Sequence, residues 1–224
     1  LYDVDFTYAK ATSGRNTIRR STMDLPNGDT VNYTYTNDTT HDDSDASRVT
    51  QVGIDTGSGN VVQATYAYNG VGQVVGTDLD PVDVMWHQYG TTSGTYPDLD
   101  RFDRVTSSRW TKDLSTDRDF YDVDVTYDRN GNITLLEDNV HFDASAKEAF
   151  DVSFTIDGQN RVTDAQEGYW NGSSIATEQR QQTWTLDQLG NWDHVKLDLD
   201  GDNAYTGSDE YDDDRTYNEN NELT

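Results

Sequence analysis

The chain copies itself at intervals of about thirty residues, and a fixed internal period of that size means one supersecondary unit stacked many times. Tyr127-Asp128-Arg129-Asn130-Gly131-Asn132-Ile133-Thr134 has near copies at Ile156-Asp157-Gly158-Gln159-Asn160-Arg161-Val162-Thr163 and Leu186-Asp187-Gln188-Leu189-Gly190-Asn191-Trp192. Others lie at Tyr217-Asn218-Glu219-Asn220-Asn221-Glu222-Leu223-Thr224, Leu99-Asp100-Arg101-Phe102-Asp103-Arg104-Val105-Thr106 and Tyr68-Asn69-Gly70-Val71-Gly72-Gln73-Val74. A stretched copy runs from Tyr35 to Ser47-Arg48-Val49-Thr50, and a degenerate one starts at Tyr8. Taking the first residue of each block as a marker, the intervals are 27, 33, 31, 28, 29, 30 and 31 residues.

The segment before the marker repeats as well. Tyr2-Asp3-Val4-Asp5-Phe6-Thr7-Tyr8 is matched by Tyr121-Asp122-Val123-Asp124-Val125-Thr126-Tyr127 and by Phe150-Asp151-Val152-Ser153-Phe154-Thr155-Ile156. Val152, Phe154 and Ile156 alternate with Asp151, Ser153 and Thr155, a period of two that gives a strand one apolar face. The Asp/Gly/Asn block that follows supplies the positive φ of a tight turn, and β-branched and aromatic residues then return. Each unit therefore reads as a β-hairpin. The opposite connections are expected to be longer and polar: Gly90 to Pro97, Asp143 to Ala149, Gly168 to Glu178, and Asp198 to Asp213. Only 144–149 has helical composition, and it is too short to be a stable helix alone.

These blocks resemble the YD (tyrosine-aspartate) repeats of the Rhs family, whose pattern runs Tyr-Asp, variable residues, Gly-Arg or Gly-Asn, an apolar residue and Thr. The block at Tyr127 fits it throughout. Leu25-Pro26-Asn27-Gly28-Asp29-Thr30-Val31-Asn32-Tyr33-Thr34-Tyr35 is similar to the family's second signature, a Pro-Asn-Gly turn followed by a strand. The resemblance implies an all-β fold: antiparallel β-hairpin repeats forming a continuous curved or spiral sheet, one array of about eight units over residues 1–224. In relatives such a sheet forms a hollow shell around a toxin domain, or the barrel of a cell-surface protein. The chain departs from the pattern in its longer period and in Asn160, Asp103 and Asn221, which stand where the family has Gly. It also lacks the Pro/Gly-Leu-rich block that precedes a cleaved toxin, so the resemblance carries over no toxin or protease activity.

Composition agrees with a thin sheet. The hydrophobic share is 33%, yet there are 5 Trp, 14 Tyr and 6 Phe. Aromatic rings bury much area each, so one layer of them can hold a sheet whose other face is wet. Neither end carries an obvious capping unit, which predicts a piece of a longer polypeptide or copies that associate end to end. The net charge is −26, which disfavours nucleic acid and anionic membrane as partners. Part of the Asp excess belongs to turns. The rest suits a saline or calcium-containing exterior and a secreted or cell-surface location. Cysteine is absent, which excludes disulfides and thiolate metal sites, and no apolar run is long enough to span a membrane.

The sharpest local motif is an EF-hand-like loop, similar to the dockerin type, with oxygen ligands for Ca2+ at Asp198, Asp200, Asp202, the Ala204 carbonyl, Thr206 and Asp209. Asn203 stands where Gly usually turns, and the loop joins strands where such loops adjoin a helix. The competing reading is a solvated acidic loop. His41-Asp42-Asp43-Ser44-Asp45 meets no ligand spacing and reads as a polar insertion. His41, His87, His141 and His194 have no zinc-type partners, and there is no nucleophile elbow or phosphate loop. No catalytic or cofactor-binding residues are assigned, and the chain is read as a non-enzyme. Tyr169-Trp170, Met85-Trp86 and Trp192 could stack on a surface glycan, although such rings more often pack across strands. The sequence thus points to a structural wall segment that pairs with itself or with neighbouring repeats and could enclose a toxin domain. The alternative is a calcium-dependent adhesion or carbohydrate-binding module.

Overall fold

The computed structural model describes residues 3–10, 18–36, 46–87, 98–112, 118–140 and 150–224. It contains β1 (Asp5–Lys10), β2 (Ile18–Asp24), β3 (Thr30–Tyr35), β4 (Val49–Asp55), β5 (Asn60–Tyr68), β6 (Val74–Leu79), β7 (Val84–His87) and β8 (Ser107–Lys112). These are followed by β9 (Arg118–Tyr127), β10 (Ile133–Asp138), β11 (Asp151–Ile156), β12 (Val162–Trp170), β13 (Ile175–Leu186), β14 (Trp192–Asp198) and β15 (Tyr211–Asp214). The only helical turn among the described residues is a 3-10 turn at Asp80–Val82, where Pro81 fixes φ at the start and Asp83 closes it at φ 51°. The fold is all-β and antiparallel, and strand order follows chain order without a crossover.

Two compact units are present, Leu1–Phe102 with Ser108–Phe120, and Asp103–Ser107 with Tyr121–Thr224. Within each, the alternation read from the sequence fixes which face of a strand is apolar. In the second unit Leu136 lies opposite Val125 and Val152, Phe154 opposite Ala165, and Trp184 opposite Val195. Trp184 and Trp192 meet edge to face at 6.1 Å. In the first unit Trp86 and Trp110 are register partners whose rings lie 6.1 Å apart. Most strand residues are half-buried. Among those described, the buried apolar side chains are Val31, Ala64 and Val75 in the first unit and Leu135 and Val195 in the second. Main-chain pairing and cross-strand contacts therefore carry much of the stabilisation of each sheet.

One expected connection is overturned. Residues 168–178 are not a long polar loop: β12 runs on to Trp170, β13 begins at Ile175, and Asn171 closes a tight turn by accepting the N–H groups of Ser173 and Ser174. Gln166, Glu178 and Gln181, polar in sequence, are part of the ladder because their alternate neighbours satisfy its period. The loop after β14 does exist and spans 199–210. The connections at 90–97 and 143–149, the segment 144–149 and the His41–Asp45 cluster lie outside the described residues.

Candidate functional site

The repeating element is a hairpin turn in which each residue type of the motif has a mechanical task. At Tyr127–Thr134 the Asp128 carboxylate accepts the N–H of Asn130 at 2.8 Å and of Asn132 at 2.9 Å. The Asp128 N–H donates to the Asn132 carbonyl, and the Gly131 N–H to the Asp128 carbonyl. Asp157 gathers Gln159 and Arg161, Asp187 gathers Leu189 and Asn191, and the side-chain Oδ1 of Asn218 gathers Asn220 and Glu222 in the same way. This side chain mimics a backbone turn, which is why Asp or Asn follows the marker.

The residue four after the marker is left-handed in six turns: Gly72 at φ 92°, Asp103 at 59°, Gly131 at 93°, Asn160 at 61°, Gly190 at 94° and Asn221 at 67°. Asn160, Asp103 and Asn221 therefore replace Gly without changing the turn, since Asn and Asp tolerate this region better than other side chains. Ser47, at φ 54°, holds the equivalent place before Arg48 in the stretched repeat.

The Thr that ends the motif sits at a β-bulge. Pairing jumps from Tyr127↔Ile133 to Thr126↔Leu135, leaving Thr134 as the extra residue. Its hydroxyl donates to the Thr126 carbonyl at 3.3 Å. Thr163 does the same to Thr155, and Thr50 to Thr34. Bulges recur beside the markers Tyr8, Tyr35, Tyr68, Ile156 and Leu186.

Successive repeats are tied by two further groups. In four regular repeats the residue five after the marker reaches forward, and Arg48 in the stretched repeat and Arg19 in the degenerate one do the same. Arg48 donates to the carbonyls of Asn69 and Gly70, and its guanidinium lies 5.6 Å from the Tyr68 ring centre. Arg161 donates to the Asp187 carbonyl at 2.7 Å, Arg104 lies 4.4 Å over Tyr127, and Asn132 donates to Asn160 Oδ1 at 2.8 Å. Asn191 reaches Asn221, and Arg19, only 5% exposed, reaches Ser47 and lies over Tyr35. The marker tyrosine reaches back. Tyr68 donates to the Val49 carbonyl at 2.7 Å, Tyr127 to Val105 at 2.8 Å and Tyr217 to Trp192 at 3.3 Å. Together these contacts form a two-way latch between turns.

The latch also shapes the electrostatics. The hydrogen bond from the Asn132 side chain holds Asp128 below the ordinary carboxylate pKa, and the Arg161 N–H does so for Asp157. At Asp187, burial pushes upward, but the Asn191 and backbone donors prevail and the pKa is lowered.

The loop after β14 uses the same device on a larger scale. Asp198 is fully buried, and its carboxylate accepts the N–H groups of Asp200 at 3.1 Å, Gly201 at 2.7 Å and Asn203 at 2.6 Å. Asp200 accepts the Asp202 N–H, and Asp202 accepts the Ala204 N–H. Gly201, at φ 72°, lies so close to the Glu178 carbonyl that a Cβ would sit 2.1 Å from its oxygen, and Asn203, at φ 63°, makes the turn expected of it. Three of the six expected ligands converge: one carboxylate oxygen each of Asp198, Asp200 and Asp202 lies within 4.8 Å of the others. Asp209, left-handed at φ 71°, is not in that group. Glu210 instead folds back to accept the Leu199 and Gly207 N–H groups. These hard carboxylate oxygens fit a calcium ion in kind. Beside the loop, burial, then Asp198 and Asp164, raise the pKa of Glu178, whose buried Oε1 has no hydrogen-bond partner.

Among the aromatic candidates Trp86 and Trp192 are engaged in packing, with the Trp86 Nε1–H donating to Ser108 at 2.9 Å and Arg215 lying 5.4 Å from the Trp192 ring centre. Met85 and Trp86 also border a small cavity in the first unit, and Tyr169 and Trp170 border one in the second. His194 pairs with Asp212, which also takes Lys196 Nζ at 2.8 Å, a surface network of modest worth.

No protein-family model and no curated protein sequence matches this chain significantly. Solved structures do match in fold. A chain in the structure of the Photorhabdus luminescens Tc holotoxin pore superposes with TM-score 0.60 at 14% identity, over 90% of this chain and 9% of that one. A chain in the TcdB2–TccC3 crystal structure superposes with TM-score 0.59 at 15% identity, over 88% of this chain and 9% of that one. The likeness establishes an Rhs-like all-β fold, and this chain spans about a tenth of the length of either match. No helix among the described residues is long and apolar enough to cross a membrane.

Proposed function

We propose that the chain is a stretch of repeat wall in a secreted or cell-surface protein, a single array of about eight units whose work is to form the side of a shell, barrel or filament. The observation that carries this reading is the two-way latch. Its groups are spent on joining one repeat to the next, and they recur at motif positions in both units. An enzyme would concentrate unusual chemistry at one place, whereas here the same modest contacts recur. The fold likeness to chains of toxin complexes supports the reading further. The partners proposed are neighbouring repeats or further copies, with a toxin domain as possible contents. Cryo-electron microscopy of the intact protein tests the proposal. A hollow β-walled body or a filament supports it, and a solid globule with no internal space overturns it.

A second reading rests on the convergence of Asp198, Asp200 and Asp202. In it the 198–209 loop binds Ca2+ through Asp198, Asp200, Asp202, the Ala204 carbonyl, Thr206 and Asp209, and stiffens an adhesive surface that binds a partner such as a surface glycan. Calorimetric titration with calcium chloride tests it. Heat that disappears in an Asp200→Asn, Asp202→Asn double variant supports the site, and no heat at millimolar calcium removes it.

A further inference from the structure

The tyrosine-tryptophan pair at the end of β12 is not part of the latch. It borders a cavity of about 300 Å3 in the second unit, lined by Glu137, Asp138, Asn139, Asp151, Tyr169 and Trp170. The walls come from the last turns of β10 and β12 and the first residue of β11, so the main chain fixes the geometry. Asp151 is the keystone. It is 3% exposed, and its two oxygens accept the Asp138 N–H and the Trp170 N–H, each at 2.7 Å. One carboxylate thus pins both rims of the cavity, each of its oxygens held by one backbone N–H.

Glu137 is differently placed. It stands directly opposite Asp124 in the β9–β10 register, an unfavourable arrangement for like charges. Burial, then Asp151 and Asp124, raise its proton affinity. Among the described residues no lysine or arginine pairs with it. Among the described residues the lining therefore offers carboxylates, one amide and two aromatic rings, and no cationic side chain. A sugar is neutral and offers nothing to balance the carboxylates of this lining. A cation with an apolar stem asks for what is present: negative charge in a half-dry setting and ring faces to lie against. The volume is at the small end of ligand pockets, enough for one such group.

We propose that the cavity formed by Glu137, Asp138, Asp151, Tyr169 and Trp170 binds an alkylammonium group, with Glu137 as its counter-ion and Trp170 as its apolar wall. The group could arrive on a free amine or on the lysine side chain of a partner. The test is calorimetric titration of the intact chain with n-butylammonium chloride, n-butanol and glucose, and with a lysine-containing peptide and its Nε-acetylated form. The expected result is binding of butylammonium and no detectable binding of butanol or glucose. Glu137→Gln and Trp170→Ala each weaken it about tenfold or more, and Asp213→Asn, at an exposed acid of β15, leaves it unchanged. Glu137→Gln removes a repulsion, so it folds, and circular dichroism verifies that its loss of binding is not unfolding. Tighter binding of the unacetylated peptide than of butylammonium assigns the group to a partner protein, and the reverse order to a free amine. Equal binding by Glu137→Gln, an equal loss in Asp213→Asn, or binding of butanol or glucose at the same strength overturns the proposal. The first two outcomes would reduce the effect to the general negative charge, and the third to an apolar or sugar-binding cleft.

Discussion

At Asp128 one carboxylate gathers two N–H groups, in an exposed turn where Asn132 and the next repeat share the task. At Asp198 one carboxylate gathers three, out of contact with water, and the neighbouring acids Asp200 and Asp202 crowd toward it. The chemistry is the same and the setting is not. In the turn, water can replace a lost acceptor. In the loop, a lost acceptor strands buried donors, which costs more than the bond itself was worth. Asp198→Ala is therefore the most damaging substitution expected here, at roughly 3 kcal/mol in urea unfolding. Asp128→Ala should lower the midpoint much less. An equal loss at the two sites would mean that exposure does not separate them.

A smaller effect distinguishes turns that use Gly from turns that use Asn. Gly131 and Asn160 share a left-handed backbone, but Asn160 also accepts the side-chain N–H groups of Asn130 and Asn132. Asn160→Ala loses the acceptor and keeps a Cβ at positive φ, which against glycine costs about 1–2 kcal/mol. Asn160→Gly loses the acceptor too but relieves that strain. Alanine should thus be clearly the worse of the two, and the gap between the variants measures the strain. If glycine is as damaging as alanine, the latch at Asn160 matters and the backbone does not.

The hairpins and their turns were legible in the sequence because period-two alternation and Asp/Gly/Asn blocks act locally. The latch was not. The targets of Arg48, Arg104 and Arg161 lie on the next repeat, 21 to 26 residues away where a bond is formed, beyond the reach of local pattern. Aligning the repeats in one column would have shown Arg or Asn recurring there. Asp151 was legible as a strand residue and taken for the wet face of β11. It is buried because β10 and β12 both turn an N–H toward it, a consequence of pairing that alternation alone does not show. The carboxylates of Asp198, Asp200 and Asp202, which the spacing offers as ligands, lie close together, whereas Glu210, outside the motif, closes the loop. Tyr127→Phe isolates the latch itself. It deletes one hydroxyl donated to Val105 and keeps the ring under Arg104. A loss of about 1 kcal/mol is expected, and Arg104→Ala in the same background should cost less than it does with Tyr127 intact if the two act together.

The smallest expected effect is a pH dependence in which the turns and the β10 carboxylate pull in opposite directions. Asp128 and Asp157 have folded pKa values below 3.8, so the folded state binds their protons less tightly than the unfolded chain does. Their contribution is fully present above that value and is lost as pH falls through the folded pKa. Glu137 is raised above 4.5, so the folded state binds its proton more tightly. Its penalty is full above the folded pKa, declines as pH falls through it, and is gone below 4.5. Mild acidification from neutral pH should therefore first stabilise the protein through Glu137, and stronger acid should then destabilise it through the turns. Glu137→Gln removes part of the first arm only. It should melt higher than the wild type at neutral pH, with the difference shrinking toward pH 4.5 and the steep loss below 3.8 unchanged. The arm is reduced and not abolished, because Asp164 and Glu178 are raised by burial as well. Melting curves of the two proteins that stay parallel from pH 7 to 4.5 would show that neither burial nor the neighbouring Asp151 and Asp124 raises the proton affinity of Glu137, and the contrast between turn and strand carboxylates would fail with it.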